Sequence, residues 1–181
     1  IRDSINRVHT NKRMSFETAV KTIDFLAAHS LNCNEVSIGF YGGEPLLEIE
    51  LIKKAVSYAK EVFGEKKINF NMTTNATLLN MDIADFLVQN DFNITISLDG
   101  PRNIHNKNRI FANSNKGTFD LIMENIALIR EKYPFFDKKM PAYRIRRLIS
   151  NRGTNHPMES QVQNQLCGIP YRIFKVQSYR L

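Results

Sequence analysis

Apolar residues recur along this chain in two alternating rhythms. Phe16, Ala19, Val20, Ile23, Leu26 and Ala27 fall at helical spacing, which places them on one face of a helix. Ser15 stands where an N-cap belongs, with Glu17 in the first turn, where a carboxylate favours the dipole. The rhythm then changes to period two over residues 36–40, the mark of a strand. A second helical stripe follows at Leu51, Ile52, Ala55, Val56, Ala59 and Phe63, stopped near Gly64. Residues 68–72 alternate again. Asn80 caps a third stripe of Ile83, Phe86 and Leu87, and residues 93–98 form a third alternating run. Thr118 opens a fourth helix with Phe119, Ile122, Ile126 and Ile129 on one face, and Pro134 lies just past its end.

Helices alternating with strands predict an α/β fold with right-handed crossovers and a parallel sheet. The strands carry a further clue. Val36, Ile38 and Phe40 share one parity, as do Ile68, Phe70 and Met72, and Ile94, Ile96 and Leu98. The opposite faces hold Ser37, Gly39, Asn69, Asn71, Thr95 and Ser97. Parallel strands covered on both sides are near-continuous apolar runs, and these are not. A partial (β/α) barrel fits better: helices cover its outside, and its hollow can hold a polar ligand. A mixed sheet with one wet face is the plainer alternative.

Composition changes this picture little. At 181 residues, 43% hydrophobic and 24% charged, the chain has the size and balance of one globular domain. Its longest apolar stretches are four residues, far short of the roughly 18 that a membrane-spanning helix needs. The first residues are too polar for a secretory leader, and position 1 is not Met. Cys33 and Cys167 lie far apart, as free thiols of a cytoplasmic protein do. The net charge of +7 is concentrated. Residues 141–181 hold seven basic residues and one acid, whereas the other 140 residues are nearly neutral. We therefore divide the chain into a short N-terminal remnant (1–13), a core (14–140) and a divergent basic tail (141–181). The tail carries Tyr143, Tyr171, Phe174 and Tyr179 but no nucleic-acid-binding module. Its departure from the body's composition predicts loose packing over residues 150–181, with residues 143–149 a candidate strand.

Each predicted strand runs into a segment of special chemistry. The first is followed by Tyr41-Gly-Gly-Glu-Pro-Leu46, the second by Thr73-Thr-Asn-Ala-Thr77, and the third by Asp99-Gly-Pro101, with His105 and Arg109 beyond. In a parallel sheet all carboxyl ends share a rim, and ligands bind there. Gly42 and Gly43 let a ligand approach the backbone. Glu44 offers a carboxylate to an ammonium group, and Pro45 stiffens the turn. Thr74 and Asn75 bring hydroxyl and amide groups. Ser97 and Asp99 continue the polar parity, and Arg109 can clamp a carboxylate through two N–H bonds. Taken singly, each segment also reads as ordinary turn chemistry. His105 has no visible partner. No Rossmann fingerprint, phosphate loop or Gly-x-Ser-x-Gly elbow occurs.

Together, Phe40-Tyr-Gly-Gly-Glu-Pro-Leu-Leu47, Thr73-Thr-Asn-Ala-Thr-Leu-Leu79 and Ile96-Ser-Leu-Asp-Gly-Pro101, followed by His105 and Arg109, resemble the radical S-adenosylmethionine (SAM) enzymes. The subgroup is that of SPASM-type peptide and protein maturases, closest to maturases of Cys-rich peptides and related to anaerobic sulfatase-maturating enzymes. The resemblance spans roughly residues 14–134. It implies SAM at the strand ends, with Gly42, Gly43 and Glu44 at the methionyl ammonium, Ser97 at the ribose or carboxylate, and Arg109 at the carboxylate. It also implies a 4Fe–4S cluster whose electron cleaves SAM to a deoxyadenosyl radical. That radical takes hydrogen from a peptide or protein substrate, and a ferredoxin or flavodoxin supplies the electron. No nucleic acid or membrane is implied.

The family's Cys-x-x-x-Cys-x-x-Cys segment does not occur here. In relatives it precedes the helix that here begins after Ser15, so it falls before Ile1. The barrel is accordingly expected to be incomplete at both ends and to supply no metal ligands. Ala76 replaces a usual Gly. The reading is a fragment of a peptide-modifying radical SAM enzyme, inactive as it stands. The alternatives are a sulfatase-maturating enzyme with formylglycine chemistry, a SAM-binding remnant without catalysis, a barrel hydrolase or isomerase lacking an evident acid–base pair, and a nucleic-acid binder acting through the tail.

Overall fold

The computed structural model describes residues 13–111, 114–134, 136 and, as backbone, 171–176. Helix α1 (Phe16–Ala28) leads into strand β1 (Glu35–Gly42), a short 3-10 turn (Pro45–Glu48) and helix α2 (Ile49–Phe63). Strand β2 (Lys67–Thr74), helix α3 (Met81–Gln89) and strand β3 (Asn93–Ile96) follow. A seven-residue helix α4 (Arg102–Asn108), helix α5 (Phe119–Lys132) and strand β4 (Tyr171–Val176) complete the described elements. The N-terminal remnant before residue 13, the candidate strand 143–149 and Cys167 lie outside the described residues.

The sheet has the order β3-β2-β1-β4, and all three pairings are parallel. Ile38 pairs with Phe70, and Met72 with Ile94, so the same parity faces the same way across three strands. That parity is buried. Val36, Ile38, Phe40, Phe70, Met72, Ile94 and Ile96 join one apolar core with Ile23 and Leu26 of α1, Ile52 and Val56 of α2, Leu87 of α3, and Ile122 and Ile126 of α5. The helical stripes and the strand parity therefore close on each other as the chain pattern requires.

Local chemistry sets the ends of the elements. The Ser15 hydroxyl accepts from Thr18 N and the Asn80 side chain from Ile83 N, as N-caps do. Gly64, at φ +54°, stops α2 and donates its N–H to Lys60 O, a conformation open to glycine. Ala76 also has a left-handed backbone, at φ +61°. This is the physical reason a glycine suits the position. Left-handed φ costs a non-glycine roughly 1–2 kcal/mol. Restoring Gly removes about 0.8 kcal/mol of methyl burial and adds unfolded-chain entropy of about 0.4–1 kcal/mol. These effects offset, so Ala76→Gly should change stability by less than about 1 kcal/mol in urea unfolding. A gain above about 2 kcal/mol would show that strain dominates.

Three features depart from the sequence expectation. Helix α4 occupies a stretch to which the sequence assigned no element, because its apolar content is too small to show a period. Strand β3 ends at Ile96 rather than at 98. In the basic tail, residues 171–176 form a strand paired with β1, with Ser37 opposite Tyr171 and Gly42 opposite Val176. At the level of the backbone, this corrects the expectation of loose packing over that part of the tail. The segment Tyr-Arg-Ile-Phe-Lys-Val mixes apolar and charged residues on both parities, so it carries no period-two signal, and it stands at the end of the described sheet.

Candidate functional site

The carboxyl ends of β1, β2 and β3 open on one cavity of about 520 Å³, within the range of small-molecule sites. Its walls come from Tyr41, Gly42 and Gly43 at the end of β1, Thr73, Thr74 and Asn75 at the end of β2, and Thr95, Ile96, Ser97 and Asp99 at the end of β3, with Arg109 completing it. Three segments distant in sequence thus meet because parallel strands deliver their ends to one rim. The β3 exit is tied to β2 by Ser97 N donating to Thr74 O at 2.9 Å. Along the polar parity, the Asn71 Nδ2 donates to Ser37 Oγ at 2.9 Å and to Asn69 O at 3.2 Å. Asn69 Nδ2 reaches Glu35 Oε2 at 3.2 Å.

Of the sequence candidates, Gly42, Gly43, Thr74, Asn75, Ser97, Asp99 and Arg109 border the cavity, and Glu44 and Pro45 do not. Pro45 is buried in the first position of the 3-10 turn. Glu44 is 4% exposed. Its Oε1 accepts from Thr74 Oγ1 at 2.6 Å and Leu46 N at 3.1 Å, and its Oε2 accepts from Asn75 N at 2.7 Å. The carboxylate therefore fastens the Gly-Gly turn to the end of β2. A buried carboxylate must satisfy its lone pairs, and these protein donors do so. Burial pushes the Glu44 carboxyl above its ordinary range, and the bonds from Thr74, Asn75 and Leu46 pull it back in part.

Arg109 is also engaged. Its Nε and Nη2 donate to the two Asp99 carboxylate oxygens at 2.8 and 2.9 Å. A guanidinium has five N–H groups, so three remain for a ligand at the cavity. Thr118 occupies the N-cap position of α5 without a side-chain capping bond, contrary to the sequence expectation. Its hydroxyl is instead 2.9 Å from His105 Nε2. His105, given no role from sequence, is fully buried. Tyr41 and Thr73 stood inside the strand-end motifs without a role of their own, and Thr95 was signalled by its parity with Ser97.

Cys33 lies in the α1–β1 connection, at the opposite end of β1 from Gly42. At about 3.3 Å per strand residue that is roughly 25 Å away. Among the described residues no group of three or more His, Cys, Asp or Glu side chains could hold a metal. Likewise, no described helix is long and apolar enough to cross a membrane.

Comparison with known proteins agrees with this geometry. The chain is 37% identical over 126 residues to the uncharacterized protein MJ0907 of Methanocaldococcus jannaschii, covering 69% of this chain and 42% of that one. It is 39% identical over 101 residues to a cysteine-type anaerobic sulfatase-maturating enzyme of Clostridium novyi, covering 54% and 26% respectively. The solved structure of anSMEcpe with bound AdoMet and Cp18Cys peptide superposes at a TM-score of 0.62 and 29% identity, over 70% of this chain and 34% of that one. The chain thus spans less than half the length of the relatives it matches. The family model described as the Radical SAM superfamily matches residues 3–137, taking in every strand-end segment that builds the cavity. The chain belongs to the radical SAM superfamily.

Proposed function

We propose that the cavity binds SAM and that this chain is the SAM-binding part of an enzyme that modifies a peptide or protein. One observation carries the reading: the Gly-Gly turn, the Thr-Asn loop and the Ser97–Asp99 exit converge on a polar cavity at the strand ends. The donor set suits SAM. Gly42 and Gly43 offer backbone to the methionyl ammonium, Ser97 a hydroxyl to the ribose or carboxylate, and Arg109 its remaining N–H groups to the carboxylate. Thr74 and Asn75 contribute to the wall while Glu44 holds them in place. In this superfamily, SAM supplies the hydrogen-abstracting species when it is reductively cleaved at a 4Fe–4S cluster.

That cluster does not fit this chain's own described residues. Cys33 stands at the wrong end of β1, and one thiolate cannot replace the several a cluster needs. For this polypeptide by itself, the position of Cys33 favours SAM binding without cleavage. The full reaction, with a ferredoxin- or flavodoxin-class electron donor, requires ligands beyond these. Resemblance to sulfatase-maturating enzymes makes a peptide or protein the favoured substrate class and leaves formylglycine formation as the alternative to modification of a Cys-rich peptide.

Calorimetric titration with SAM tests the reading. Saturable 1:1 binding is expected, weak because the described residues hold no cluster to anchor the ligand. Arg109→Lys should weaken it about tenfold, because a lysine cannot reproduce the planar fork toward Asp99 and the ligand. Wild type that stays unliganded at millimolar SAM would refute the proposal.

A further inference from the structure

His105 is a buried titratable group that the proposed function leaves unused. It is fully enclosed, with the Phe119 ring edge-on at 5.7 Å. Asp99 N lies 3.3 Å from His105 Nδ1. A backbone N–H can only donate, so Nδ1 must be the bare, accepting nitrogen. The proton then belongs to Nε2, 2.9 Å from Thr118 Oγ1. With one lone pair occupied, the Thr118 hydroxyl is free to donate onward to Arg109 O, 3.4 Å away. The donors therefore run in one direction, from the Asp99 backbone through the imidazole and Thr118 to the Arg109 backbone. The helix closes the circuit: Arg109 N donates to His105 O at 2.9 Å, and His105 N to Pro101 O at 2.9 Å. The two ends of this relay are the two residues whose side chains form the ion pair on the cavity wall.

We propose that His105, held as the neutral Nε2–H tautomer, is the positioning residue that sets the Asp99–Arg109 pair against the ligand cavity. The imidazole fixes the Asp99 backbone directly and the Arg109 backbone through Thr118. A protonated imidazole would place an N–H at Nδ1 against the Asp99 N–H, leaving two donors facing each other in a dry site. The charged groups that act on the ring are Arg109 and Asp99; Thr118, Phe119 and the Pro101 carbonyl are neutral. Burial, then Arg109, keeps the imidazole below its ordinary titration range, with Asp99 opposing. The stability this group confers is thus present above about pH 6.5. It is lost as pH falls through the lower folded value.

The ligand-binding arm rests on the SAM reading, and the first two measurements do not. In histidine-15N-labelled wild-type protein, His105 should show a protonated Nε2 and a bare Nδ1 at neutral pH. Two variants separate positioning from mere filling of space. In His105→Asn the amide oxygen takes the place of Nδ1 and still accepts from Asp99 N–H. In His105→Gln the amide reaches only the Nε2 position. The Arg109 Nε–H resonance should stay protected from solvent exchange in His105→Asn and lose protection in His105→Gln. SAM affinity should fall at least tenfold, about 1.4 kcal/mol, in His105→Gln and by less than that in His105→Asn, although the two variants melt at similar temperatures. An Nδ1–H tautomer, or equal loss of Arg109 protection in both variants, would overturn the proposal. Wild type that does not bind SAM would refute the SAM reading alone, and the tautomer and the Arg109 signal would still decide this one.

Discussion

Glu44→Ala is expected to unfold about 3–4 kcal/mol more easily than wild type. The substitution strands Leu46 N, Asn75 N and the Thr74 hydroxyl in a nearly dry corner, at roughly 1–3 kcal/mol for each donor left without an acceptor. Relaxation and entering water keep the total below the full sum. For a chain of this size the melting temperature should drop by roughly 10 °C. Glu44→Gln is a finer probe. Its amide can donate to Thr74 Oγ1 while its oxygen serves Asn75, but the same NH₂ then faces the Leu46 N–H. One conflict remains, costing on the order of 1–3 kcal/mol. The pH dependence has a defined sign. Burial raises the Glu44 carboxyl above its ordinary value, so the fold takes up its proton before the unfolded chain does. The resulting stability is present at low pH and lost as pH rises through the folded value. The advantage of wild type over Glu44→Gln should therefore narrow from about pH 4 to pH 7. Urea midpoints across that range check it, and a gap that widens with pH would contradict the buried-carboxylate account.

Phe70→Ala is expected to cost about 3–5 kcal/mol, the range for removing a buried aromatic side chain. Phe70 is 2% exposed. Its ring lies 5.2 Å from that of Phe92 and 6.5 Å from that of Phe40, centroid to centroid. Phe92 in turn meets Phe86 of α3 at 5.7 Å. Phe40 and Phe92 also stack at 5.8 Å, and removing Phe70 from this cluster of three opens a cavity between the sheet and its helices. Asn71→Ala, one residue along on the opposite parity, loses hydrogen bonds to Ser37 and Asn69 and should cost only about 1 kcal/mol. The contrast between adjacent positions measures the facing of β2 directly. A loss below about 1 kcal/mol for Phe70→Ala would mean that the apolar parity faces solvent.

Much of the architecture was legible along the chain because it is written in periodicity. The α1, α2 and α5 stripes and the parity of β1, β2 and β3 depend on near neighbours, and burial of one face follows from them. Helix α4 was not legible. Arg-Asn-Ile-His-Asn-Lys-Asn has almost no apolar content, and the helix is held by its ends and by the buried His105 instead. Strand β4 was missed because its partner β1 is about 130 residues distant, and no local pattern announces such a pairing.

The site divides along the same line. Residue types at the strand ends, read with their spacing, were enough to name seven residues that border the cavity. They could not tell which polar groups face a ligand and which face the protein. Glu44 was read as an ammonium partner from its type alone, yet its carboxylate accepts from Leu46 N two residues on and from the Thr74 hydroxyl and Asn75 N about 30 residues away. Arg109 looked free, yet it arrives already forked on Asp99. His105 showed no partner because its partners are Asp99 N and Thr118 Oγ1, one of them a backbone group. The sequence alone determined the order of elements, the buried faces and the rim on which the motifs meet, all of which follow from short-range spacing. Only the tertiary structure decided which donors and acceptors satisfy one another, because hydrogen bonds depend on distances of a few ångströms between segments that the folded chain alone brings together.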